Sequence, residues 1–364
     1  MEGSMVDLSF YKNKKVFITG HTGFKGSWMV ETLLNAGADV SGYSLDIPEE
    51  PCLFRLIGLQ DKVKSFYADI RDYNRLKQAF DSVKPDIVIH MAAQPLVRES
   101  YKDPLYTYST NILGTVNILE CIRNSACTGS FLNVTTDKVY RNMEWEWGYR
   151  EDEELCGRDP YSNSKSCSEL VTHSYKSSFF TAGDGSAAVP VSTARAGNVI
   201  GGGDFSEDRI IPDCVRACCN KEKIKVRNPG SVRPYQHVLE PIMAYLMVAA
   251  KQYGNYSYAG CYNVGPDETD CLKTAELVNL FVECWGDGAE WIQEGDGGPH
   301  EDNYLKLDCS KIKSVFGWKP RWNLETAVYK TVEWSKCWLS GGNISECMDK
   351  QIKEFILRQG CIFI

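Results

Sequence analysis

Apolar residues fall into short unbroken runs, separated by stretches in which they recur at helical spacing. The runs at 14–20, 38–43, 63–67, 87–90, 130–135 and 190–195 predict strands. Between them, 27–36 (closed by Gly37), 73–83, 107–124 and 161–180 predict helices. Continuous rather than alternating apolar strands mean a parallel sheet covered on both faces. Ligands of such sheets collect at the C-terminal strand ends. Beyond Ala196 the pattern loosens into loops such as Gly201-Gly202-Gly203 and Pro229-Gly230, with helices near 241–251, 273–285 and 324–338. The expectation is an α/β chain. A Rossmann-type doubly wound parallel sheet occupies 1–196, with a returning segment near 235–264. A smaller substrate-binding lobe covers 197–345, and 346–364 is a tail.

Composition narrows the function classes. The chain has 364 residues, 43% hydrophobic and 24% charged, as in ordinary soluble globular proteins. A net charge of -8 without a Lys/Arg block argues against a nucleic-acid partner. No secretory h-region stands in 1–15, and no apolar run approaches the roughly 20 residues that span a bilayer. A cytoplasmic protein without a membrane partner is expected. The short runs Phe355-Ile356-Leu357 and Cys361-Ile362-Phe363-Ile364 read as packing on the body or on a neighbouring subunit. Fifteen cysteines, odd in number and without ligand spacing, read as reduced thiols and give no metal site.

The chemistry starts at Gly20-His21-Thr22-Gly23-Phe24-Lys25-Gly26, which follows a strand and opens a helix. Gly20 permits a tight turn, Gly23 lets backbone approach a pyrophosphate, and Gly26 permits close helix packing; the helix N-terminus attracts the phosphates. Asp69-Ile70 can hold an adenine, although Asp69 is equally a helix cap. Asp46 and Ser44 at the second strand end leave NAD and NADP both open. In Tyr161-Ser162-Asn163-Ser164-Lys165 the tyrosine and lysine share a helix face, so the ammonium can favour the phenolate as base for an alcohol. Thr136-Asp137-Lys138 stands at another strand end. Thr136 can bond a substrate hydroxyl, Asp137 is a possible general acid or a turn cap, and Lys138 is a possible base or charge stabiliser.

The glycine loop, Tyr-x-x-x-Lys and Asn111 resemble the extended short-chain dehydrogenase/reductases that act on nucleotide sugars. Thr136-Asp137-Lys138, Trp147-Gly148-Tyr149-Arg150-Glu151, the Arg195 to Asp204 run and Arg233-Pro234-Tyr235-Gln236-His237-Val238-Leu239-Glu240-Pro241 narrow that to the CDP-glucose 4,6-dehydratases. The likeness runs from about Lys14 to about Trp338; Cys156 and the 181–188 segment depart from the usual pattern. It implies NAD as cofactor, CDP-glucose as small-molecule substrate, and a homodimer or homotetramer built on helices 107–124 and 161–180. It implies contacts to the cofactor from Gly20, His21, Thr22, Gly23, Phe24, Gly26, Asp69, Ile70, Ala92, Ala93, Gln94, Tyr161 and Lys165. Asn111, Asn198, Arg209, Arg233 and Arg227 would hold the substrate, with guanidinium forks matched to its diphosphate, and His300-Glu301 would close the pocket. The rivals are a 4-epimerase or C4 reductase, a dehydratase of another nucleotide sugar such as dTDP-glucose, and a non-catalytic NAD-binding regulator.

Overall fold

The computed structural model describes residues 7–181, 189–295 and 303–357. Its strands are β1 (Lys15–Thr19), β2 (Asp39–Ser44), β3 (Lys64–Tyr67), β4 (Ile87–His90), β5 (Ser130–Val134), β6 (Val191–Ala196), β7 (Val199–Ile200), β8 (Ile224–Val226), β9 (Gln236–His237), β10 (Cys261–Val264) and β11 (Trp291–Gln293). Seven form one sheet in the order β3-β2-β1-β4-β5-β6-β10, parallel throughout. The order reverses between β1 and β4, and a crevice opens above the strand ends at such a switch point.

Period-two geometry explains why these strands read as unbroken apolar runs. Val16 and Ile18 of β1 enter one core, together with Ile87 and Ile89 of β4 and Leu132 and Val134 of β5. The intervening Phe17, Val88 and Phe131 enter the core on the other face. Both faces are covered by helices: α1 (Phe24–Asn35), α2 (Leu53–Leu56), α3 (Tyr73–Val83), α4 (Val97–Lys102), α5 (Pro104–Tyr108), α6 (Gly114–Arg123), α7 (Pro160–Phe179), α8 (Ile210–Asn220), α9 (Leu239–Gln252), α10 (Thr274–Trp285), α11 (Ser310–Phe316), α12 (Leu324–Leu339) and α13 (Ile344–Leu357). The α9 helix is buried along most of its length, which is why it reads as apolar all round. A third core joins α8, α10, α12 and β8 beyond the strand ends.

Two expectations change. The single helix at 107–124 is three pieces, α5 and α6 joined by a π-helical turn at Ser109–Leu113. Within the 346–364 tail, residues up to Leu357 belong to α13, with Phe355 and Ile356 buried and the Phe355 ring edge-on to Trp322. Cys361–Ile364, residues 182–188 of the variable segment, and His300-Glu301 lie outside the described residues. Among the described residues, no helix is long and apolar enough to cross a membrane.

Candidate active site

The ends of β1, β4, β5 and β6 open into one cleft of about 1200 Å³, roofed by residues of α8, β8 and α12. At its base Gly20 has φ +78°, and a Cβ there would stand 2.8 Å from the Ala92 nitrogen. A Cβ on Gly26 would stand 2.2 Å from the Gly20 oxygen, whereas one on Gly23 would make only ordinary contact. Thus Gly20 and Gly26 hold the loop closed, and Gly23 presents open backbone to the cleft. No side chain caps the N-terminus of α1, so its first amides remain a donor set suited to an anion. That arrangement fits a pyrophosphate. The Thr22, Phe24, Asp69, Ile70, Ala92 and Ala93 positions also line the cleft. The Asp69 carboxylate is already paired with Arg71 at 2.6 Å, which holds it below the usual carboxylate range.

The α7 helix begins at Asp159, whose side chain accepts from the Ser162 amide, with Pro160 in the first turn. This start turns Tyr161, Lys165 and Glu169 to one buried face. Burial pushes the Tyr161 phenol up to about 12, a hydrogen bond with Thr136 pulls it down, and Asp137 pushes it up. Burial lowers the Lys165 ammonium to about 8, against the pull of Glu169, and Lys165 Nζ donates to the Val134 oxygen at 3.3 Å. At the end of β5, Thr136 Oγ1 and Lys138 Nζ both donate to Asp137 Oδ1, at 3.0 and 2.8 Å. Lys138 Nζ also donates to Asn198 Oδ1 at 3.1 Å. Asp137 is wholly buried, and its Oδ2 has no partner.

The side chains of three expected ligand residues are engaged as braces in this structure. The Asn111 side chain, expected on the substrate, is 1% exposed. Its Oδ1 accepts from the Gln94 amide, and its Nδ2 donates to the Gln94 oxygen and Ser164 Oγ. Those bonds tie the π turn to the loop after β4 and to α7, and both Nδ2 hydrogens are engaged. The Gln94 side chain bonds Thr107 and Leu96. The His21 ring is buried between Ser44 and Ser65 hydroxyls rather than facing the cleft. The proposed diphosphate arginines do line the cleft, but Arg209 is paired with Asp204 and Arg227 with Asp208. Arg233 is buried there and donates to the Val232 oxygen.

Two residues the sequence reading passed over also stand here. Lys25, inside the glycine loop, lines the cleft and is lowered to about 8 by burial, then by Arg209 and Lys165. Its signal was a cation where the loop needs only a small or apolar residue. Glu169 lies one further turn beyond Lys165 on the catalytic face, and the four-residue spacing continued one step would have found it.

Residues 17–331 match the GDP-mannose 4,6 dehydratase family. The chain belongs to this family. Within it, the chain is 46% identical over 354 residues to the CDP-glucose 4,6-dehydratase of Salmonella typhimurium, covering 97% of this chain and 99% of that one. Among solved structures it is similar to the dTDP-glucose 4,6-dehydratase of Streptomyces venezuelae with NAD and TYD bound. That likeness has a TM-score of 0.76 and 23% identity over 91% of this chain and 99% of that one. The UDP-glucose 4-epimerase of Thermotoga maritima with UDP-glucose gives a TM-score of 0.78 and 22% identity over 89% and 99%. At such identity these two establish the family's fold.

Proposed function

We propose that the chain is an NAD-dependent CDP-glucose 4,6-dehydratase, converting CDP-glucose to CDP-4-keto-6-deoxyglucose and water. The observation that carries the reading is the hydrogen-bonded cluster Tyr161–Thr136–Asp137–Lys138, in which Tyr161, Thr136 and Lys138 line the cleft around the buried Asp137, beside an uncapped glycine-loop helix. An epimerase needs only the proton transfer at O4, and a regulator needs none of it. The acid–base pair Asp137–Lys138 has a use when water leaves, and the 46% identical relative is named for that reaction. Around the end of β2 the cleft is lined by Asp46, Glu49 and Glu50. Three carboxylates would repel a 2′-phosphate, so this end favours NAD over NADP.

The glycine-loop amides, Asp69, Ile70, Ala92 and Ala93 would hold NAD, which when bound supplies the hydride acceptor and donor of an internal redox cycle. Thr136 orients the O4 hydroxyl, and Tyr161 takes its proton, with the Lys165 ammonium favouring the phenolate. The resulting 4-ketone acidifies C5–H. Transfer of one proton across the 2.8 Å Lys138–Asp137 bond would arm both groups at once, as a neutral amine and a carboxylic acid. Lys138 then takes the C5 proton and Asp137 protonates the departing O6, which leaves the pair as an ammonium and a carboxylate. Lys138 gives a proton back to C5 as C6 is reduced, and the proton held by Tyr161 resets the pair. Arg209, Arg233 and Arg227, with Asn198, are the proposed diphosphate contacts. For Arg209 and Arg227 that contact replaces a carboxylate partner.

Turnover in deuterated water tests this sequence: the product should carry solvent deuterium at C5, while label placed at C4 appears at C6. Lys138→Ala should retain C4 oxidation and lose C5 exchange; unchanged deuterium incorporation at C5 would exclude Lys138 as the base. A second copy of the chain is the proposed partner, because Tyr101, Leu105, Leu113 and Leu170 stand exposed on α4, α5, the π turn and α7. The cysteines among the described residues are all free thiols, which supports work in the reducing cytoplasm.

A further inference from the structure

One turn beyond Lys165 on the same face of α7, Glu169 belongs to a charge pair that the reaction does not touch. Glu169 and Arg195 are each 2% exposed. Glu169 Oε1 accepts from Arg195 Nε at 2.9 Å and from the Thr135 hydroxyl. Its Oε2 accepts from Thr193 Oγ1 at 2.7 Å and Arg195 Nη2 at 3.1 Å. The carboxylate therefore joins β5, β6 and α7 immediately beneath Thr136. Arg195 Nη1 continues to the Tyr140 hydroxyl at 2.8 Å and the Glu151 oxygen at 2.9 Å. From Tyr140 the chain of bonds reaches Asn263 Oδ1, and Asn263 Nδ2 holds the Tyr149 and Asp308 oxygens.

We infer that Glu169, held by Arg195, is a positioning residue for the proton transfer at O4. It fixes Thr135, and so the adjacent Thr136 and Asp137, and it is the counter-charge that keeps Lys165 an ammonium. The inference rests on the proposed roles of Tyr161 and Lys165. Burying an ion pair this deeply is a weak route to stability, because desolvation offsets the attraction. The pair satisfies the polar groups around it, and the carboxylate also sets a negative charge one helical turn from Lys165.

The groups facing Lys165 decide the sign. On its own helix stand Tyr161 and Glu169; from β4 comes His90, which burial holds neutral at about 3. From α1 comes the cationic Lys25, and from β5 the neutral Val134 carbonyl. Glu169 is thus the anion that counters burial of the ammonium. Activity that needs the ammonium is present below the Lys165 pKa and lost as pH rises through it. Removing Glu169 moves that loss to lower pH.

Three variants separate charge from shape: Glu169→Gln, the double variant Glu169→Gln with Arg195→Gln, and Thr135→Val. The double variant leaves no unpaired buried charge should the single one fail to fold. Glu169→Gln should move the alkaline limb of kcat about one pH unit down, and the double variant, which also removes the opposing Arg195 charge, should move it in the same direction by less. In cofactor-free protein labelled at lysine, the side-chain titration of Lys165, assigned with Lys165→Met, should move by the same amounts. Thr135→Val should lower kcat about tenfold through lost alignment and leave the limb in place. An unmoved Lys165 titration in the Glu169 variants would overturn the inference and leave a structural pair only. Failure of the unaltered protein to turn over CDP-glucose would instead overturn the proposed function, and the titration would still judge the pair.

Discussion

Tyr161→Phe is expected to lower kcat on CDP-glucose about a thousandfold, within the range for losing a positioned acid–base group. Phenylalanine keeps the ring in the first turn of α7 and loses only the hydroxyl bonded to Thr136. The melting temperature and the affinity for NAD should therefore stay close to those of the unaltered protein. Because the phenol is buried and held at about 12, no ordinary solvent base replaces it. Steady-state kinetics together with a cofactor titration check this. A loss of less than about tenfold would mean that another group removes the O4 proton.

Asp137→Asn should divide the reaction in two. C4 oxidation depends on Tyr161, Lys165 and Thr136, none of which is altered. Departure of O6 depends on a proton that an amide cannot supply. Overall turnover should fall about a hundredfold or more, while a hexose with a C4 ketone and its C6 oxygen intact accumulates. Borodeuteride trapping detects it, because hexoses labelled at C4 and still hydroxylated at C6 are recovered. Part of the loss will reflect Lys138, whose buried partner carboxylate disappears. Recovery of only 6-deoxy sugars, at near-normal rate, would remove Asp137 from the role of acid.

The sheet was legible in the sequence because both faces of its strands are buried. With no polar alternation to interrupt them, the runs through Val16, Val88 and Leu132 stood out as elements. The glycine loop was legible for a related reason: backbone geometry at Gly20 and Gly26 tolerates no side chain, and that requirement reaches the sequence directly. The bracing bonds of Asn111 were not legible: its amide stitches the loop after β4 to α7 through a π turn, and a π turn leaves no periodic signature when the residues on either side are helical. Glu169 and Arg195 stand 26 residues apart, and only the packing of α7 against β6 brings them together. The carboxylate partners of Arg209 and Arg227 were likewise invisible, since an arginine near a cleft reads the same whether it waits for phosphate or already holds an aspartate. The α13 helix went unseen because the resemblance ends before it, although Met348, Ile352 and Phe355 carry a clear helical apolar stripe.

The central claim is that this cleft removes water from a CDP-sugar, and purified protein with NAD tests it most directly. CDP-, dTDP-, UDP- and GDP-glucose would be incubated separately and the products followed by alkali-induced absorbance and mass. CDP-glucose should be consumed in preference, losing one water to give the alkali-absorbing 4-keto-6-deoxy product without net reduction of NAD. Preferred turnover of dTDP-glucose, or conversion of CDP-glucose to its C4 epimer with no loss of water, would contradict it.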